Sequence, residues 1–162
     1  MRMNGARIRT MLPTDIDGVL QVELNCFAVP WSRVAFENEI NDNDLAHYLV
    51  LEAGDRIIGY AGMWMILDEA HVTNIAVISG YRRQGLGERL LLALIGQARQ
   101  LGAVSMTLEV RPSNTAAQVL YRKLGFENRG IRRQYYSDTK EDAIIMWRDG
   151  LDTDGADPLA KA

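Results

Sequence analysis

The period of the apolar positions changes several times along this chain, and each change marks an element boundary. Residues 6–11 set Ile8, Thr10 and Met11 among charged neighbours, which predicts a first strand. Pro13-Thr14-Asp15 reads as a turn and helix start, and Ile16, Val19, Leu20 and Leu24 then recur at helical spacing to about residue 27. Pro30 ends that helix. Ser32 is placed to cap a second short helix to about residue 40, bearing Val34, Phe36 and Ile40. After the loop Asn41-Asp42-Asn43-Asp44, residues 48–52 and 56–64 flank a Gly54-Asp55 turn and predict a hairpin. Residues 69–78 are β-branched and apolar, a buried strand broken at Gly80. From residue 86 to 101 the period is helical again. Leu86, Leu90, Leu94 and Ala98 form one stripe with Leu91, Ile95 and Leu101 beside it, while Glu88, Arg89, Gln97 and Gln100 can face water. A strand at 104–110, a helix at 114–124 ending at Gly125, and strands at 126–134 and 142–147 complete the order β-α-α-β-β-β-α-β-α-β-β. That order is a mixed α/β sheet.

Composition narrows the class without changing this picture. At 162 residues the chain is long enough for one full core and too short for two. Residues 6–149 are assigned to one domain, residues 1–5 to a disordered lead, and the acidic, Gly- and Pro-containing stretch 150–162 to a disordered tail. A net charge of −3 argues against direct nucleic-acid binding. The single cysteine, Cys26, excludes an intrachain disulfide and suits a reducing cytoplasm. No apolar run reaches the length needed to span a bilayer, and the N-terminal residues carry no apolar signal core. A cytoplasmic protein without membrane association is expected, with a monomer as the starting expectation.

The stretch with the clearest chemistry joins the central strand to the long helix. Tyr81-Arg82-Arg83-Gln84-Gly85-Leu86-Gly87-Glu88 puts two arginines and two glycines at a helix N-terminus. The first N–H groups of a helix lack internal partners and carry about half a positive charge, so this is an anion site. Gly85 and Gly87 allow close approach of a phosphate to the backbone. A Walker loop would need Gly-Lys-Ser/Thr and a dinucleotide fingerprint three spaced glycines, and neither is present. Arg82-x-x-Gly85-x-Gly87 after a strand resembles the pyrophosphate signature of the GNAT acetyltransferase superfamily. The resemblance extends over residues 6–148. Pro30-Trp31-Ser32, Asp68-Glu69-Ala70, Asn74-Ile75-Ala76-Val77, Leu108-Glu109-Val110-Arg111 with Ser113-Asn114, Leu120-Tyr121 with Gly125-Phe126, and Tyr135-Tyr136 with Glu141-Asp142-Ala143 resemble the RimI family within it. That family acetylates the N-terminal alanine of a small-subunit ribosomal protein.

The resemblance implies the GNAT fold: a mixed, mostly antiparallel sheet of about seven strands, helices on both faces, splayed between the fourth and fifth strands. It implies acetyl-CoA as co-substrate and no metal. The implied cofactor residues are Ile75, Ala76 and Val77 through their backbones, then Arg82, Arg83, Gln84, Gly85, Leu86, Gly87 and Glu88, and Asn114. A bulge ending the strand before Gly80 would leave N–H groups for the pantetheine arm and the oxyanion. Asn114 by position alone is an N-cap.

Glu109 sits late in an apolar strand, where a carboxylate needs a partner such as Arg111, an exposed strand end, or a task. By resemblance it is the general base. A carboxyl near pKa 4.3 is weak for that work, so its pKa must be elevated by its site or it must act through water. Tyr121, twelve positions on, is by itself a core tyrosine beside Leu120 and Leu124, and by resemblance the general acid for the departing thiolate. Pro30, Trp31, Tyr135 and Tyr136 are implied to wall a slot for a peptide N-terminus, against the plainer reading of hydrophobic loop anchors. Cys26 and His71 are read as structural, and Asp68-Glu69-Ala70-His71 as a strand start rather than a helicase box.

Three functions compete. The first is a protein N-terminal acetyltransferase with a basic ribosomal protein as partner. The second is a small-amine acetyltransferase of the same fold, which would need no slot of the kind Trp31, Tyr135 and Tyr136 suggest. The third is a non-catalytic acetyl-CoA-binding regulatory module, which would need neither Glu109 nor Tyr121.

Overall fold

The computed structural model describes residues 5–153. All of the predicted lead but Gly5, and most of the predicted tail, lie outside them. Eleven regular elements follow in the predicted order: β1 (Arg7–Thr10), α1 (Ile16–Cys26), α2 (Arg33–Asn41), β2 (Ala46–Ala53), β3 (Arg56–Ile66), β4 (Glu69–Val77), α3 (Leu86–Gln100), β5 (Ser105–Val110), α4 (Thr115–Lys123), β6 (Glu127–Arg132) and β7 (Ala143–Arg148). Single 3₁₀ turns precede α1, at Pro13–Asp15, and follow β4, at Ser79–Tyr81. The seven strands form one sheet in the order β1-β2-β3-β4-β5-β7-β6. The pairs β1·β2, β2·β3, β5·β7 and β6·β7 are antiparallel, whereas β4·β5 is parallel. That parallel register holds from Glu69↔Ser105 to His71↔Thr107 and goes no further.

The chain divides into two compact units, one of residues 5–64 and 73–94, the other of 65–72 and 95–153. In the first, β1 and β2 are tied by Arg9, whose guanidinium meets Asp15 at 2.7 and 2.8 Å and Glu52 at 3.1 Å. The Arg9 charge holds the Asp15 carboxyl below its ordinary value. The aromatic layer of this unit is Phe36, Tyr48 and Tyr60, with ring centroids 5.6 to 6.4 Å apart. Two buried carboxylates enter that layer. Glu23 of α1 accepts from the Tyr60 hydroxyl, and Glu39 of α2 accepts from the Tyr48 hydroxyl at 2.8 Å, Trp64 Nε1 at 2.7 Å and Asn43 Nδ2 at 2.7 Å.

The predicted face of α1 is therefore turned slightly. Ile16, Val19, Val22 and Glu23 are buried, and Leu24, read from the sequence as part of the stripe, is 64% exposed. Val34 on α2 is likewise exposed. Ser32 caps α2 as predicted, its Oγ accepting from Ala35 N at 3.1 Å. Along α3, Leu86, Leu90, Leu91, Leu94, Ile95 and Ala98 are buried; Leu101 falls beyond the last turn and is exposed.

In the second unit α4 ends in a Schellman arrangement: Phe126 N donates to Tyr121 O at 2.9 Å and Gly125 N to Arg122 O at 3.0 Å. The stretch after β7 stays attached for a few residues. Leu151 is buried, its N–H donates to Val104 O at 3.0 Å, and its carbonyl accepts from Arg99 Nε at 3.0 Å.

Leu90 occupies the middle of the buried face of α3. Leu90→Ala is expected to lower unfolding free energy by about 2–5 kcal/mol, read as a shifted denaturant midpoint.

Candidate active site

The first group of candidate residues lies at the end of β4 in the first unit. Ala76 and Val77 are buried and Ile75 half-buried. Gly59 of β3 lies against this strand; a Cβ there would meet Ala76 O at 2.7 Å, so only glycine permits the approach. The groups at the strand end are mostly spoken for. Val77 O accepts from Arg82 Nε at 2.9 Å and from Cys26 Sγ at 3.4 Å; Ile78 N donates to Ile58 O and Ser79 N to Asn25 Oδ1, each at 2.9 Å. Arg82 thus folds back along its own strand, and its second nitrogen donates to Cys26 Sγ at 3.5 Å. Burial pushes the Cys26 thiol pKa up, and the Arg82 guanidinium opposes that rise.

The turn then enters α3. Arg83 and Gly85 both have left-handed backbones, φ 64° and 76°, and open space surrounds the position a Gly85 Cβ would take. Successive turns of this kind point backbone N–H groups into a concavity that suits anions. The first helical bond to reach back across the turn is Arg89 N to Gly85 O, 3.1 Å, so helix geometry leaves the Leu86 and Gly87 N–H groups without helical acceptors. Gln84 Oε1 is buried here with no hydrogen-bond partner. It can accept only from an N–H or O–H donor, the kind of group an amide-bearing ligand supplies.

The second group lies in the second unit. Glu109 is in β5 between buried Leu108 and Val110, with 23% of its side chain exposed. Its partner is Arg132 of β6, Nε to Oε1 3.3 Å, and not Arg111. Arg111 instead organises the β6–β7 loop. It takes both oxygens of Asp138 at 3.0 Å, reaches Thr139 and Glu141, and lies 3.9 Å over the Tyr136 ring. Tyr135 stands edge-on to Tyr136 at 5.0 Å, with Arg132 5.8 Å from its own ring. Burial raises the Tyr136 phenol pKa, the Arg111 guanidinium opposes that rise, and Tyr135, Glu109 and Tyr121 add to it. Glu109, Tyr121, Tyr135 and Tyr136 therefore share one electrostatic neighbourhood.

Tyr121 of α4 is 6% exposed, 6.0 Å from the Phe126 ring, and burial pushes its pKa up to about 12. Its phenol keeps its proton across the physiological range. Asn114 caps α4, its Oδ1 accepting from Ala117 N at 3.1 Å. In the first unit, Pro30 is exposed and Trp31 half-buried, its ring 5.3 Å from Phe36. His71 pairs with Glu69 at 3.3 Å and stands edge-on to Trp147. Among the described residues no cluster of three or more His, Cys, Asp or Glu is arranged to hold a metal, and no helix is long and apolar enough to cross a membrane.

Residues 16–126 match the model of the acetyltransferase (GNAT) family. The chain belongs to that family. Its members transfer acetyl groups from acetyl-CoA, and this GNAT chain is an N-acetyltransferase. A Salmonella typhimurium protein, [ribosomal protein bS18]-alanine N-acetyltransferase, is 42% identical over 141 residues, covering 86% of this chain and 94% of that one. The crystal structure of the ribosomal-protein-S18-alanine N-acetyltransferase from Escherichia coli superposes with a TM-score of 0.81 at 38% identity, covering 89% of this chain and 93% of that one. Ard1 from Thermoplasma volcanium follows with a TM-score of 0.79 at 26% identity, covering 90% and 98%. The open seven-stranded sheet, with its short β4·β5 parallel ladder, matches the fold of these GNAT neighbours.

The sequence reading passed over two residues that contact candidate site residues, Glu23 at the Trp31 N–H and Arg132 at Glu109, while Cys26, read as structural, is half-buried and bonded to Arg82. Glu23 carried a usable signal. It falls seven positions after Ile16 and four after Val19, on the buried stripe, where a carboxylate needs donors.

The raised pKa of Tyr121 has a consequence for alkaline stability. The unfolded phenol ionises near pH 10 and the folded one near 12, so its burial stabilises the fold fully below pH 10 and ceases to do so between pH 10 and 12. Tyr121→Phe should remove about 2–3 kcal/mol of the stability lost across that window, measured by denaturant unfolding at stepped pH.

Proposed function

We propose that this enzyme acetylates the α-amine of an N-terminal alanine, with a small-subunit ribosomal protein as its substrate. The observation that carries the reading is the Salmonella relative, whose named activity is this one and whose 42% identity runs over 86% of the chain. The site residues are compatible with it. The turn of Arg83, Gln84, Gly85, Leu86, Gly87 and Glu88 suits the pyrophosphate of acetyl-CoA, and Asn114 and the backbones of Ile75, Ala76 and Val77 are assigned to the same ligand. Arg82 serves the turn by fixing the strand end from which it departs. Bound there, the co-substrate supplies an acetyl group already activated as a thioester.

The chain's own residues then handle protons. An N-terminal amine is mostly ammonium at neutral pH, and Glu109 takes its proton, directly or through water. Backbone N–H groups of the β4 end polarise the thioester carbonyl as negative charge develops on its oxygen. The Tyr121 O–H, protonated because it is buried, donates to the sulfur that leaves. Trp31 and Pro30 on the α1–α2 loop, and separately Tyr135 and Tyr136 on the β6–β7 loop, are assigned to contacts with the peptide. The net charge of −3 favours encounter with a basic protein through long-range attraction.

An α-amine is the better acceptor for a single carboxylate base. Its pKa of about 7.7–8.0, against about 10.4 for lysine, makes deprotonation about 3.4 kcal/mol easier. A peptide beginning with free Ala and lacking lysine should be acetylated in preference to an N-terminally blocked peptide with one internal lysine. The opposite preference overturns the reading, and rejection of both favours a small-amine substrate. Glu109→Gln keeps the shape but cannot take the proton, so turnover should fall about 10²–10⁴-fold while calorimetry shows acetyl-CoA affinity retained.

A further inference from the structure

The α1–α2 loop is pinned at one point by a group with no role in proton transfer. Glu23 is only 1% exposed, a carboxylate set into the apolar stripe of α1. One oxygen accepts from the Trp31 backbone N–H at 2.7 Å and the other from the Tyr60 hydroxyl at 2.5 Å. Burial pushes its pKa up, and these two donors act against that rise by favouring the ionised form. Tyr60 is itself fully buried, edge-on to Phe36 at 5.6 Å, and Phe36 is the ring against which Trp31 packs at 5.3 Å. The Trp31 main chain and side chain are therefore held by the same small cluster. One residue later, Ser32 turns to cap α2, so the path of the loop is set on both sides of Trp31. Pro30, immediately before, has no N–H to offer, which makes the Trp31 amide the first donor on that side of the cap.

We propose that Glu23 is a positioning residue for the amine substrate: it fixes Trp31 from behind, through the main chain, and so sets the wall that the peptide meets. This rests on the reading of Trp31 as a substrate contact. A carboxylate serves here because two donors from different elements converge on it. A side chain with one polar atom, or a shorter one, meets one of them and leaves the other unpaired.

The test compares Glu23→Gln, Glu23→Asp and Glu23→Leu with the parent enzyme, using acetyl-CoA and a peptide beginning with Ala. Gln keeps a carbonyl for the Trp31 N–H and an amide that donates to the Tyr60 oxygen, so its kinetics should stay within about twofold of the parent. Asp is one methylene short, and Leu has no acceptor. Both should raise KM for the peptide about tenfold while KM for acetyl-CoA and kcat stay near parent values. Asp keeps the proposal testable if Leu does not fold. Amide hydrogen exchange gives a readout independent of activity: the Trp31 N–H should be protected in the parent and Gln forms and exchange faster in the Asp form. A folded Asp variant with parent-like peptide KM and Trp31 protection overturns the role of Glu23 alone. Equal losses in both KM values and kcat overturn it too, as a general structural defect. A parent enzyme that acetylates no Ala peptide removes the functional reading, and the positioning role with it.

Discussion

Two neighbouring strands that run in the same direction cannot be joined by a tight turn, and most of this molecule follows from having one such pair. The chain leaves β4, must travel the length of the sheet before entering β5, and does so as α3. That crossover puts a helix start, with its unsatisfied N–H groups, a short way beyond the strand end, and a 3₁₀ turn at Ser79–Tyr81 and the Arg- and Gly-rich turn fill the junction. The parallel ladder is short. After His71 and Thr107 its bonds cease, and the remaining residues of β5 pair only with β7 among the described strands. The β4 end is steadied by other means: the Gly59 approach to Ala76, and the Arg82 and Cys26 bonds to Val77 O.

Carboxylates divide sharply by what surrounds them. Glu23 and Glu39 are buried, each is met by a tyrosine hydroxyl and by an N–H donor, and both oxygens of each are engaged. Such fully satisfied groups specify how helices seat on a sheet. Glu109 is different. It keeps contact with solvent and has one partner, Arg132, at the long end of ion-pair distance on an exposed strand. A base must be able to exchange partners during a reaction, and a loosely paired carboxylate can do so where a doubly clamped one cannot.

Much of this was legible in the sequence. The order and approximate bounds of all eleven elements follow from period changes and from caps such as Ser32 and Asn114, because these signals are local. The less legible features depend on partners far away in the chain. Leu24 and Glu23 differ by one position and both fit helical spacing, so apolar character favours the leucine; the structure buries the glutamate, to which Tyr60, thirty-seven residues on, supplies a donor. Arg82 reads as a free charge beside a glycine loop, yet the carbonyl five residues earlier claims its Nε. Arg111 is the nearest cation to Glu109 along the chain, but the acidic loop at 138–141 outcompetes it.

The left-handed backbone of Arg83 bears on how the enzyme has apportioned robustness and readiness. A non-glycine residue in that conformation carries about 1–2 kcal/mol of local strain, so the turn is held in shape by its surroundings and not by its own preference. A chain that keeps such strain at rest has its turn already set by the contacts around it. Replacement by glycine would remove that strain and give a sturdier turn. Stabilised variants selected for heat tolerance would be drawn to this position, because glycine adopts the same backbone without that strain.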